Sequence, residues 1–289
     1  MHFNFAFVKK QQLVFISGAV ILFIALYFFG NTIPPKTAGS ENPAVSMNGG
    51  TKKLTTNDLL SKAKASLTQQ QISRITQLEN SVVRGDVKTQ QIGVYKQLAN
   101  FWGDTMNHQE LAAYYIGETA KLENSEKNLN FAARFLLDSL MATDEPTIQN
   151  WMATQAKALF EKSLEINPTN DSSKIGIGAC YLFGGIADNP MQGILAIKGI
   201  ADKNPENMYA QWMLSLGDIK SGQYDKAIEH LLIIVNKEPG NIEAIINLAE
   251  SYERKGDKQN AVKWYRTAAG LVNIPEAQNE IEKRIKALQ

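Results

Sequence analysis

Residues 207–234 read NMYAQWMLSLGDIKSGQYDKAIEHLLII, and residues 241–268 read NIEAIINLAESYERKGDKQNAVKWYRTA. Laid over one another, Leu214, Gly222, Ala227, Leu231 and Ile234 recur as Leu248, Gly256, Ala261, Tyr265 and Ala268, each 34 positions on. A fixed period of this length marks an array of stacked helical hairpins, because one hairpin alone cannot bury its apolar face. In the second copy Ile245, Leu248 and Tyr252 share one helical face, and Ala249 beside them is small enough for a neighbouring helix to come close. Gly256 supplies the left-handed conformation that ends a helix without Cβ strain. A second helix follows, with Ala261, Val262, Tyr265 and Ala268 turned back onto the first.

The boundaries repeat as well. Pro168, Pro205 and Pro239 are each followed two residues on by an asparagine, Asn170, Asn207 and Asn241. Proline cannot continue a helix, and asparagine is a favoured cap for the next one. The first interval is three residues longer than the second. The extra length is expected in Gly184–Pro190, read as a lengthened turn with Asn189 capping a helix that starts at Pro190.

With these residues in view, the chain resembles a tetratricopeptide-repeat (TPR) protein. Ile245, Leu248, Ala249, Tyr252, Gly256, Ala261, Tyr265 and Ala268 match the family pattern. The 208–239 unit departs from it at Asp218, where an aromatic is usual, and at Leu231. The 171–205 unit departs through its longer turn and through Gly193 in place of the packing alanine. The resemblance implies an all-α solenoid of antiparallel hairpins over 170–272, whose first helices line a concave surface where ligands bind.

Upstream, over 56–169, the logic continues in degenerate form. Leu129–Leu140 reads as a first helix, and Ala156, Phe160 and Leu164 belong to its partner, with a long Met141–Asn150 segment between them. Gln91–Trp102 and Gln109–Lys121 suggest one more hairpin. Thr56–Ser66 and Gln69–Val83 suggest another, with Asn57 and Thr68 as caps and Gly85 as a stop. At the far end (273–289), Pro275–Gln289 is a capping helix with Ile281, Ile285 and Leu288 on one stripe.

Ahead of the hairpins lie a short N-terminal segment (1–12), an apolar run (13–30) and a linker (31–55). Leu13–Phe29 carries no charge, and as a helix it spans roughly 25 Å, enough for a short transmembrane anchor. Lys9 and Lys10 precede it, against Lys36 after it. This bias favours a single-pass inner-membrane protein with a cytoplasmic N-terminus and a periplasmic body. A cleaved signal peptide is the competing reading, though Gly30–Pro34 offers no good small-x-small site. The Gly-, Pro-, Ser- and Asn-rich stretch that follows reads as a flexible tether.

Thirty basic residues against 29 acidic ones leave a formal charge of +1, which argues against a nucleic-acid partner. Cys180 stands alone in an apolar helical pattern and reads as a buried inert thiol. His2, His108 and His230 are scattered without metal-ligand spacing, and His230 reads as solvated. Gly176-x-Gly178 lies inside a helix start, where close packing is the reading, not phosphate binding. No cofactor, metal or catalytic residue is expected.

The concave surface is what remains. By the family register its positions are Ile175, Ala179 and Leu182, then Tyr209, Trp212, Leu216 and Ile219, then Ile246, Asn247, Glu250 and Glu253. The middle set is wholly apolar or aromatic, which suits an apolar anchor; packing between first helices, or cover by Tyr181 and Phe183, is the bland alternative. Chaperone-binding members of the family grip a terminal carboxylate with lysines, an arginine and asparagines. Only Asn247 matches that set, so no such clamp is expected. The leading reading is a membrane-tethered adaptor that holds a protein or peptide in the groove. A self-associating envelope protein is the rival. An assembly factor whose layout resembles the anchored repeat proteins of cytochrome c maturation is a second variant.

Overall fold

The computed structural model describes residues 54–84, 87–186 and 190–289, all within one compact unit, 51–289. The apolar run Leu13–Phe29, the tether, Gly85 and Asn189 lie outside the described residues. Among the described residues there are thirteen α-helices and no strand. In order they are α1 (Thr56–Lys64), α2 (Gln69–Arg84), α3 (Lys88–Asn100), α4 (Gln109–Glu123), α5 (Glu126–Met141), α6 (Pro146–Ile166) and α7 (Asp171–Phe183). Then come α8 (Met191–Lys203), α9 (Met208–Lys220), α10 (Tyr224–Lys237), α11 (Ile242–Lys255), α12 (Lys258–Leu271) and α13 (Pro275–Leu288).

Helix starts follow the proline–asparagine boundaries. The side chains of Asn170, Asn207 and Asn241 accept from the backbone N–H of Ser173 (2.9 Å), Ala210 (3.1 Å) and Ala244 (3.0 Å), each satisfying a donor that the first turn leaves open. Gly256, at φ +88°, ends α11 in the left-handed region. At the front of the array the cap is Thr55 instead of Asn57. Its hydroxyl accepts from the Asp58 N–H while the Asp58 carboxylate accepts from the Thr55 N–H, a reciprocal pair that Asn57 cannot form from inside the turn. Thr68 caps α2 in the same way through Gln71.

Two connections differ from expectation. Met141–Asn150 is mostly helix: Pro146 starts α6, where its missing N–H costs nothing, and leaves only 142–145 as the link. After α3 the backbone widens into a π-turn at Phe101–Thr105. There Trp102 is fully buried, with Phe101 edge-on at 5.3 Å between centroids.

Each hairpin packs on the next. The pairs α3/α4, α5/α6, α7/α8, α9/α10 and α11/α12 are antiparallel neighbours, α5 touches α7, α7 touches α9, and α4 touches α6. First helices therefore form one layer and second helices the other, which makes this an all-α, TPR-like solenoid closed by α13. Helix α1 does something else. Its Thr56 hydroxyl accepts from Trp151 Nε1 on α6 (3.3 Å), and Lys64 pairs with Glu79 on α2 (2.6 Å), so α1 ties the front of the chain to a second helix 95 residues on.

One core runs from Leu59 to Leu214, a second from Ala227 to Ala268, and a third from Ala249 to Ile285. Half-buried Trp212 packs against both the first and the second. Gly176 and Gly178 are packing residues: a Cβ on Gly176 would fall inside the fully buried Phe160 ring, and one on Gly178 would sit 2.7 Å from Ile197 and 2.9 Å from the Gly193 carbonyl. Cys180 is fully buried among them.

Candidate functional site: a groove on the first-helix layer

The first helices α5, α7, α9 and α11 enclose an open groove of about 670 Å³. Tyr209, Trp212, Leu216 and Ile219, one face of α9 at helical spacing, form its floor, and Asn247 of α11 stands on one rim. Those five expected residues are brought together. Ile175 and Leu182 are not among them. Ile175 is 0% exposed and Leu182 9%, as is Ala179 at 0%, because α7 is sandwiched between α5 and α9 and spends its inner face on them. Leu182 fills the space over Gly217, where an added Cβ would meet its Cδ2 at 2.8 Å. Ile246, Glu250 and Glu253 line a separate cleft of about 560 Å³ against α13, in which Arg284 grips Glu253.

Several groove residues are invisible to the repeat register. Phe183 lines the groove with the Lys220 ammonium 5.4 Å over its ring, whereas Tyr181 lies elsewhere, under Lys157. From α5 come Arg134 and Asp138. The Arg134 guanidinium lies 4.7 Å over the Tyr209 ring, a cation on a π-face. Packing around the Asp138 carboxyl raises its pKa against the opposing pull of Arg134. The Tyr209 hydroxyl is buried and has no hydrogen-bond partner among the described residues.

A second hollow, about 690 Å³, shares Arg134 and Asp138 with the groove and continues past them to Phe131 and Phe135. Phe131 is 65% exposed. In and beneath this wall a half-buried relay locks three helices together. Asn130 donates to Ser163 (2.6 Å), Ser173 donates to Asn130 (2.8 Å), and Asn167 and Asn170 both donate to Glu126.

His230 is half-buried, not on an open solvated face. Its Nδ1 is 2.5 Å from Gln211 Oε1 and its Nε2 is 3.6 Å from Asp218 Oδ2, both on α9. Among the described residues no group of three or more His, Cys, Asp or Glu side chains stands close enough to hold a metal ion. No described helix is long and apolar enough to cross a membrane.

A layered stack of antiparallel helix pairs with a lined concavity defines a helical-repeat protein. Residues 242–271 match the family described as tetratricopeptide repeat. It is 28% identical over 177 residues to the TPR repeat-containing protein YpiA of Bacillus subtilis (strain 168). That match covers 60% of this chain but only 37% of the relative. Among solved structures it is similar to TTC0263, a thermophilic TPR protein of Thermus thermophilus, at 16% identity and TM-score 0.48, covering 70% of this chain and 98% of that one. It is also similar to MamA from Desulfovibrio magneticus RS-1 (20% identity, TM-score 0.40, 65% and 96% covered). A third is YrrB, described as a TPR protein with an unusual peptide-binding site (17%, 0.40, 66% and 91%).

Proposed function

We propose that this protein is a tethered adaptor that holds a segment of another protein in the groove between α5, α7, α9 and α11. The observation that carries the reading is the unbroken apolar face Tyr209–Trp212–Leu216–Ile219 at the floor of an open concavity. Apolar side chains in an accessible hollow, ringed by charged and amide groups, are the composition expected of a binding centre and its rim. The anchor is the Leu13–Phe29 run, whose length suits a short membrane span and whose flanking lysines favour a body on the periplasmic side, and the stretch after it is the tether.

A photo-crosslinking amino acid placed at Leu216 or Asn247 of the full chain in cells tests the groove, with Leu195 on α8, 62% exposed, as the control position. Adducts to a discrete partner from the groove positions alone are expected. Adducts equally frequent from Leu195, or none from the groove, would remove the reading. Carbonate extraction tests the anchor: release of the full chain into the soluble fraction would count against it.

A further inference from the structure

The groove and the second hollow meet at Arg134 and Asp138 of α5, and the first of these is a cation with no contact ion pair. Arg134 lines both. Its Cζ lies 4.7 Å over the centroid of the Tyr209 ring, yet among the described residues its guanidinium makes no ion pair within 4 Å and no hydrogen bond. A guanidinium stacked on an aromatic has its edge donors pre-aimed in one plane, the geometry that a carboxylate fits with two parallel hydrogen bonds. Just beneath it the buried Tyr209 hydroxyl also lacks a partner.

Apolar surface lies on both sides of this cation. In the second hollow are Phe131, one turn nearer the start of α5, and Phe135 beside Arg134; in the groove are Trp212, Leu216 and Ile219 of α9. We infer that the occupant is a peptide segment with an internal Asp or Glu, its carboxylate on Arg134, flanked on each side by a large apolar residue, one against Phe131 and the other on the Trp212–Leu216 floor. This rests on the adaptor reading above. An internal acidic residue is favoured over a chain terminus because the apolar surface continues past Arg134 in both directions, and a terminus at Arg134 would leave one side bare. Asp138, one turn along α5, sets a limit of one negative charge at this point. The terminal-carboxylate grip of the family's chaperone binders is a different arrangement, built from lysines, an arginine and asparagines, a set that by register only Asn247 of this groove matches.

The test uses the full chain in mild detergent and two random dodecapeptide display libraries, one fused at both ends and one with free C-termini. Selection from the doubly fused library is expected to enrich Asp or Glu between two apolar residues. Changing that acidic residue to its amide in a selected peptide should weaken binding about tenfold, the scale of a lost charge-assisted bond. Against Arg134→Gln the same change should matter less than about twofold, and Arg134→Lys should recover only part of the preference because it keeps charge and loses the fork. Enrichment of apolar residues without an acid, lost with Leu216→Ser, would overturn this inference and leave the adaptor reading standing. Acidic preference found only at free C-termini would also overturn it. No peptide whose binding depends on Leu216 would overturn both.

Discussion

His230 Nε2 lies 3.6 Å from Asp218 Oδ2 across the α9–α10 hairpin, at the two positions that the following repeat fills with Trp264 and Tyr252. An aromatic pair has been exchanged for a titratable one inside a packed interface. The charged and titratable groups around it are Lys198 from α8, Lys226 and Glu229 from α10, and the amide of Gln211. Burial pushes the Asp218 carboxyl up to about 6, with Lys226 opposing and Glu229 adding. Burial pushes the His230 ring down, against the pull of Glu229.

The two shifts act on stability with opposite signs. Asp218 binds its proton more tightly in the fold, so its contribution is complete below about pH 4 and is lost as pH rises through about 6. His230 binds its proton less tightly in the fold, so its contribution is present above about pH 6.5 and is lost as pH falls below that. Relative to wild type, the Tm of Asp218→Asn is expected to become more favourable as pH rises from about 4.5 to about 6.5, and that of His230→Gln less favourable. The Asp218 effect is on the order of 1 kcal/mol. Thermal melts across that range check this, and parallel curves for all three proteins would sink it.

How much of this is legible in the sequence varies along the chain. Wherever the 34-residue period holds, register follows from it, and both the asparagine caps and the α9 floor of the groove sit where the period puts them. The same register puts Ile175 and Leu182 on the open surface, where they are not. Periodicity says which face points away from the second helix, but not that α7 has a first helix on either side to absorb that face. Upstream of Asn170 the period fades, and with it any means of seeing that Phe131, Arg134 and Asp138 extend the groove. Pro146 lies inside a stretch that reads as a long connection yet starts a helix, since a missing N–H suits a first turn as well as a break. Thr55 and Asn57 are equally good caps by residue type, and only the reciprocal bond with Asp58 separates them.

The α7–α8 crossing is closer than its counterpart in the last repeat. Gly178 and Gly193 occupy the places of Ala249 and Ala261, and a Cβ on Gly193 would land on the Gly178 carbonyl. Backbone cannot yield as a side chain can, so Gly193→Ala should cost about 2–3 kcal/mol. On the same helix Gly199 has nothing within 4 Å of an added Cβ. There alanine should stabilise by about 0.5–1 kcal/mol through the unfolded chain's lost freedom. Urea melts of the two variants should therefore move in opposite directions; equal behaviour would refute the close crossing.

Cys180 offers a probe of the same region. Burial pushes its thiol up to about 12, with Lys157 opposing. The thiolate needed for attack is therefore scarce at neutral pH and shielded where it exists. The native protein is expected to resist iodoacetamide at pH 8 and to react at once in denaturant. Adding Gly193→Ala should speed native labelling, since it weakens the helix pair that covers the thiol. Prompt stoichiometric labelling of wild type would contradict this burial.

The groove can be dissected because its walls differ in what else they do. Trp212 packs against two cores and joins them, so Trp212→Ala removes structure as well as surface, at about 2–4 kcal/mol. Phe131 projects from α5 at 65% exposure and contributes little to folding, so Phe131→Ala should leave stability within about 0.5 kcal/mol. Loss of a bound segment on Trp212→Ala alone would therefore confound folding with recognition, while loss on Phe131→Ala at unchanged Tm isolates the surface. A groove that works as a continuous trough requires the second result. Retained affinity in Phe131→Ala would confine the binding surface to the α9 side, with Arg134 at its edge instead of its middle.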